Sequence, residues 1–539
     1  MKKVFFLFLL LGSCLQSVQA QSRSEGLSIL WGNPQQESKR STLADVIGHD
    51  ESGFYALRLK VGAFYGINSK FSLEHYDNSM NKTRTVEVDL ETDNKKRSLE
   101  QIVHYNNRLF IFTSLADQKS KQKKLFLQPI SKTSLQPVGE PQQISSIDYT
   151  GYSKGNSGNF GFSVSSDSTK FLVFYNLPYD QGENERFGFH VLDWEMKQLW
   201  EKQIELPYQE ELFEVDRYKV DNAGNIHLLG RLFNEKRKLK RKGEPNYKYQ
   251  VLSYRDNGSS LTDYAVEIPG KFLNDMQIAI LPNQDIICAG FFSPARTNSI
   301  SGSYFLTIDA KTKQVKKQSF KDFDADFLTE NMREGKAAAT KEKIEKGKSV
   351  ELYEFDLDDL VLREDGGAML VGEQYFIRVM TTYSPNGGIS STKTQYHYNN
   401  IIVVNINPQG EIEWAHQIPK RQRTVNDGGF YSSYTMAVVQ DKLYFIFNDH
   451  PKNLIAKQGQ VYNMRLTGND AIVVMVEMDS QGNQTRRPLF KASDASVIIR
   501  PKVCEQLTNQ EVVIFGQRRR LQRFAKISLQ SDSQSSSLK

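Results

Sequence analysis

The chain has 539 residues, 39% of them apolar and 11% aromatic, with a formal charge of +6 and only three cysteines. That balance describes a folded, core-forming protein, too mildly basic for a nucleic-acid footprint and too poor in cysteine for a disulfide scaffold. At this length the choice lies between two to four ordinary domains and one large repeat-built body.

The N-terminus has Lys2 and Lys3, an apolar run from Val4 to Leu11, then small and polar residues ending at Ala20. This order is that of a secretory signal cleaved before Gln21. A competing reading takes Leu11-Gly12-Ser13-Cys14 as resembling a lipobox, which would place a lipid on Cys14. Losing the signal removes two lysines and no acid, so +6 becomes +4. No other stretch offers the roughly 20 apolar residues of a membrane span. The mature protein is therefore expected to be exported to the periplasm, the outer-membrane surface or the medium, either soluble or on one lipid anchor.

Beyond the signal one pattern recurs. A turn rich in Asp, Asn and Gly precedes six to eight apolar, β-branched and aromatic residues. The copies are "GFYALRL" from Gly53, "RLFIFTSL" from Arg108, "KFLVFYNL" from Lys170, "NIHLLGRL" from Asn225, "DIICAGFF" from Asp285, "GAMLVGEQ" from Gly367, "KLYFIFND" from Lys442 and "EVVIFGQR" from Glu511. Each has a strand-like segment before it and two behind, joined by tight-turn sequences such as "DNGSS" and "NPQGE". The unit is a four-stranded antiparallel meander, and radial stacking of such units covers both of its apolar faces, as in a β-propeller. The last unit is one strand short, and "LSILWG" from Leu27 supplies the missing strand, which protects an open edge. The predicted fold is all-β: a propeller of eight blades, with seven as the alternative, over residues 21–530. A helical insertion is predicted at 322–354, started by Asp324 and stopped by Gly347, and residues 531–539 are expected to be a disordered Ser/Gln tail.

The segments "LDWEMKQLW" (Leu192 to Trp200) and "NINPQGEIEW" (Asn405 to Trp414) resemble the outer hairpin of the PQQ-like propeller repeat, in which a turn leads to a tryptophan. The resemblance implies fold and repeat type. The Asp/Thr/Gly pattern of quinoprotein dehydrogenases is incomplete, so no quinone or other cofactor is expected.

Meander geometry sorts the connections. Loops from second to third strand, and links between units, emerge on one face; the other turns emerge on the opposite face. The long, varied, charged connections all belong to the first class, which makes that rim the candidate working surface. Two stretches on it stand out. The hairpin from Glu373 carries Tyr375, Phe376, Tyr383, Tyr396 and Tyr398, either to pack on the rim or to offer amphipathic faces to a partner. The link "IPKRQRTVNDGGFYSSY" (Ile418 to Tyr434) is expected to hold Lys420, Arg421 and Arg423 at the rim, turn at Asn426 and Asp427, and bring Tyr431 and Tyr434 toward the central channel.

Other signals have plainer readings. The basic run from Lys236 to Lys242 lacks interleaved aromatics and reads as a solvated loop tip. "GYSKG" from Gly151 matches a nucleophile elbow only by letters, because more turn residues and a strand follow it. Asp322, Asp324 and Asp326 lack the glycine and distal glutamate of a calcium loop, and the scattered histidines give no zinc spacing. Cys288 and Cys504 read as small buried hydrophobes. No metal is expected. The function reading is a monomeric envelope binding or assembly module for a protein or glycan, more a binder than an enzyme. Its rival is a polysaccharide hydrolase or lyase, which would need Asp427, Asp449 or another rim acid to face a second acid or a histidine.

Overall fold

The computed structural model describes residues 22–24, 27–62, 69–92, 95–235, 240–241, 244–294, 299–383, 389–466 and 471–529. The N-terminal signal with Cys14, most of the basic run and the tail at 531–539 lie outside them. Among the described residues, no helix is long and apolar enough to cross a membrane.

Sheets of four or more antiparallel strands follow one another along the chain. The first spans Ser41 to Glu87, the second Ser98 to Asp148, the third Asn159 to Gln209 and the fourth Phe213 to Val266. The fifth runs from Phe272 to Asp322, the sixth from Phe355 to Val425 and the seventh from Thr435 to Lys491. In the eighth, Glu511–Arg518 and Leu521–Leu529 pair, and Leu27–Trp31 closes the outside by pairing Leu27 with Leu529 and Trp31 with Ala525.

The second strand of each unit explains the ring. Its residues alternate between two apolar faces, so each face packs on a different neighbour. In the sixth sheet Ala368 and Leu370 pack toward the fifth, whereas Met369 and Val371 pack toward the seventh. A buried apolar cluster lies at every such junction, including one that joins the first sheet to the eighth through Phe54, Tyr76, Phe515 and Phe524. The ring is therefore closed, and the fold is a β-propeller. Each large apolar side chain buried at a junction stabilises it by about 1.5–3 kcal/mol; Leu27, Ile29 and Trp31 add theirs to the cluster between the seventh and eighth sheets. Trp200 and Trp414 tie neighbouring sheets together in the same way, because each outer-strand indole donates to a turn carbonyl of the next sheet, Gly224 and Ser480, at 3.1 Å.

The connections sort as the meander requires, with one exception on the short-turn face. Residues 131–141 form a longer excursion there, stapled by a bridge between Ile130 and Pro137. On the other rim, helices Ala325–Thr329 and Glu334–Glu345 follow the fifth sheet. Asp324 caps the first by accepting from the Phe327 amide at 2.8 Å, while Asp326 pairs with Lys341 at 2.5 Å. "GYSKG" is a single 3-10 turn at Lys154–Asn156, followed by the strand Asn159–Val164. His227 is a buried strand residue, 2.8 Å from Ser253 Oγ and 3.2 Å from Asp221 Oδ2. Cys288 and Cys504 are buried free thiols, both pushed up to about 12 by burial.

Candidate functional site

The sixth sheet departs from the others. Its second and third strands, Ala368–Tyr383 and Ile389–Ile406, continue past the body as a two-stranded arm. In the body, Ala368 to Glu373 pair with Ile406 to Ile401. After a bulge that sets Asn399 and Asn400 opposite Gln374, Tyr375 pairs with Tyr398 and the ladder runs on to Tyr383 opposite Ile389. The link after Pro419 then adds a third strand, Gln422–Val425, which lies along Tyr398 to Gln395.

Local chemistry explains how the link turns. Asn426, in the left-handed region at φ 57°, donates its amide to Thr394 O at 2.9 Å, and its side chain accepts from the Thr394 amide at 2.8 Å. Asp427 accepts from Thr424 Oγ1 at 2.5 Å and from the Gly429 amide at 3.0 Å. Gly429 has φ 66°, and a Cβ there would lie 2.4 Å from the Tyr398 ring, so glycine is required twice over.

Lys420 corrects the sequence-based placement: it is not at the rim but 1% exposed. Its ammonium ion-pairs with Glu373 and donates to Tyr398 O at 3.1 Å and Gln422 Oε1 at 3.2 Å. Glu373 also accepts from Ser433 Oγ at 2.7 Å, and Gln422 Oε1 accepts from the Ser433 amide at 2.7 Å. This network bolts the arm's base to the link. Burial pulls the Lys420 pKa down, opposed by the Glu373 charge. Arg421 and Arg423 are exposed. Both crowd His397, whose pKa is lowered by burial and then by Arg378, Arg423 and Arg421.

Tyr434 reaches the first strand of the sixth sheet, Phe355–Leu362, donating to Asp358 Oδ2 at 2.6 Å. Tyr431 instead lies among Arg500, Asp427 and the small cluster of Ala471, Ala492 and Ile498. Tyr375 packs on Tyr398 with ring centroids 4.6 Å apart, and Lys502 Nζ stands 4.2 Å above the Tyr398 ring. Tyr396 is half-buried on the arm, and Tyr383 is 65% exposed near its end. The structure therefore gathers Lys420, Tyr434 and Tyr375 into one base, while Arg421, Arg423 and Tyr383 remain open to solvent.

Three acids in this base were not singled out from sequence: Glu373, Asp356 and Asp358. Their signal is "FDLDDLVL", an inner strand whose alternate positions Asp356 and Asp358 share one face. Surrounding protein raises the Asp358 carboxyl to about 7, with Glu373 and Asp356 adding repulsion against the Tyr434 hydrogen bond. Asp356 is raised to about 6 by burial and by Asp275, Glu354 and Glu373. The two acids first considered for catalysis are otherwise engaged. Asp427 caps its turn, and Asp449 pairs with Arg486 at 3.2 Å and accepts from Asn453 at 2.6 Å.

Further bonds tie this region to its neighbours on the rim. The Met464 amide donates to Arg421 O at 2.9 Å, and the Arg423 amide to Asn463 Oδ1 at 2.7 Å. Glu330, from the helical insertion, holds His416 Nδ1 at 3.1 Å and the Gln417 amide at 2.9 Å. Farther round the channel, a cavity of about 440 Å³ opens among Phe160, Arg186, Glu214, Asp216 and Arg217.

No family model and no curated protein matches the chain. Among solved structures it is similar to the WD40 domain of SCAP from fission yeast, at 8% identity and TM-score 0.42, with 95% of this chain and 98% of that chain covered. It is also similar to the β-propeller domain of the Trilobed protease from Pyrococcus furiosus, at 10% identity and TM-score 0.33, covering 84% and 96%. A protein of unknown function from Bacteroides caccae aligns at 12% identity and TM-score 0.26, covering 68% and 93%. Likenesses this distant carry no function across.

Proposed function

We propose that this protein is an exported cell-envelope module that binds and assembles a partner protein through its arm-bearing rim. The propeller fold suits a protein-binding or scaffold role in general. The observation that carries the finer reading is the arm: Ile377, Val379, Met380 and Tyr383 are 48%, 64%, 51% and 65% exposed on it. A floppy loop with such side chains would be an aggregation liability, but this arm is a three-stranded ribbon fixed at its base by a buried ion pair. Exposed apolar groups on a rigid support are the pattern of an interaction surface. The aliphatic character of three of the four favours a protein over a glycan, which would call for aromatic platforms. Export is supported by the cationic, apolar, small-residue order of the first twenty residues, with Cys14 as the alternative anchoring point. The matching tryptophan bonds of the third and sixth sheets support kinship with PQQ-like repeats.

The test replaces residues 375–398 by a two-residue Asn-Gly turn and compares cross-linked partners captured from the envelope fraction by this variant and by the full chain. Loss of a specific partner is expected. Recovery of an unchanged set would refute the reading.

A further inference from the structure

We infer that the outer edge of the arm's first strand accepts an extended polypeptide segment in which acidic and aliphatic residues alternate. This deepens the binding reading above and rests on it. The backbone gives the first observation. The Tyr375 amide points away from the arm's other strands and donates to Glu354 O at 2.8 Å. Antiparallel pairing alternates, so Ile377, Val379 and Thr381 turn their N–H and C=O groups the same way. The far side confirms the phase, because Thr394, opposite Val379, offers its carbonyl outward to the Asn426 amide. Among the described residues, the strand has no backbone partner on its outer side from Phe376 to Thr381. Natural edges of this length are usually blunted by bulges, proline or several charges; "FIRVMT" carries only Arg378.

The two faces give the second observation. Register places Arg378 opposite Gln395, Met380 opposite Lys393, and Arg423 opposite His397, so the cations Arg378, Lys393 and Arg423 share one face. No acid lies on that face among the described residues of the three strands. The opposite face presents Ile377 and Val379. An added strand continues the pleat, so it sets one half of its side chains beside Arg378 and the other half beside these aliphatics. Acids suit the first set and aliphatics the second. Pairing between two copies of this chain would bring like charges together, which argues for a distinct, acidic partner. Strand addition of this kind draws affinity from the main chain and specificity from alternate side chains.

The experiment uses the full mature chain and a fluorescent peptide of alternating glutamate and valine, with lysine and valine as control. Saturable anisotropy change with the acidic peptide alone is expected, together with slowed amide exchange across 375–383. Val379→Pro removes one outward N–H without touching the inner ladder and should weaken binding at least about tenfold. Arg378→Glu should weaken the acidic peptide and admit the basic one. Unchanged exchange in the 368–373 segment verifies that each variant is folded. The inference is overturned if the acidic peptide fails to bind the native chain, or if Val379→Pro binds it equally well. It is also overturned if only phosphatidylglycerol vesicles bind and Val379→Pro leaves that binding unaltered. Failure of the peptide with arm-dependent partner capture intact sinks strand addition alone; peptide binding with capture indifferent to the arm sinks the proposed function alone.

Discussion

Replacing Lys420 by methionine probes the arm's base most directly. The native ammonium is fully enclosed, with Glu373 only 5% exposed at its side chain. Methionine fills much of the lysine stem's volume but leaves the Glu373 carboxylate with the Ser433 hydroxyl as its remaining donor among the described residues. Removing one partner of a buried pair costs about 3–5 kcal/mol, because the other charge stays desolvated and uncompensated. Glu373→Gln in the same chain removes that charge, so the double variant should recover to within about 1–2 kcal/mol of the native protein. A propeller of this size need not unfold in one step, so the assay is local: exchange protection of segments 369–375 and 420–434, read alongside the denaturant midpoint. Both segments should open together in Lys420→Met and close again in the double variant. The reasoning is refuted if the single variant stays within about 1 kcal/mol of native, or if adding Glu373→Gln brings no recovery.

Two further outcomes follow from the same region. The folded Asp358 pKa, about 7, lies above its unfolded value of 3.8, so its contribution to stability is complete below about pH 4 and is lost as pH rises through 7. Asp358 is exposed, so solvent screens the carboxyl and reduces the loss to about 1–2 kcal/mol; denaturant midpoints between pH 5 and 8 should fall for the native chain and stay flatter for Asp358→Asn. Gly429→Ala must relieve both a positive φ and the approach to Tyr398, costing about 1–3 kcal/mol, and proteolysis of the 420–434 segment should accelerate measurably in that variant.

The propeller was legible because its causes are local. Apolar runs such as "GAMLVG" bury both faces of a strand, and Asn, Asp and Gly turns mark the reversals; "LSILWG" at the far end of the chain matches the strand its last unit lacks. Meander parity then assigns the long connections to one rim, apart from the excursion at residues 131–141. The character of the arm's base was not legible. In sequence Lys420 stands beside Arg421 and Arg423 in an unbroken cationic stretch, and nothing local separates it from them. Its burial depends on Gln422 pairing with Tyr398, on Glu373 ending the body of another strand, and on Ser433 folding back from the next link.

Asp358 poses a related problem: the acids of "FDLDDLVL" stand beside it in the chain, but its raised pKa comes first from the protein packed around it and then from Glu373 as well as Asp356. Sequence alone determined the repeat, the strand order and the face that bears the loops, since these follow from periodicity and turn chemistry within a few residues. Only the tertiary structure decided which charges are enclosed and which edge is left open, because desolvation and pairing are set by groups far apart in the chain that meet only when the ring closes.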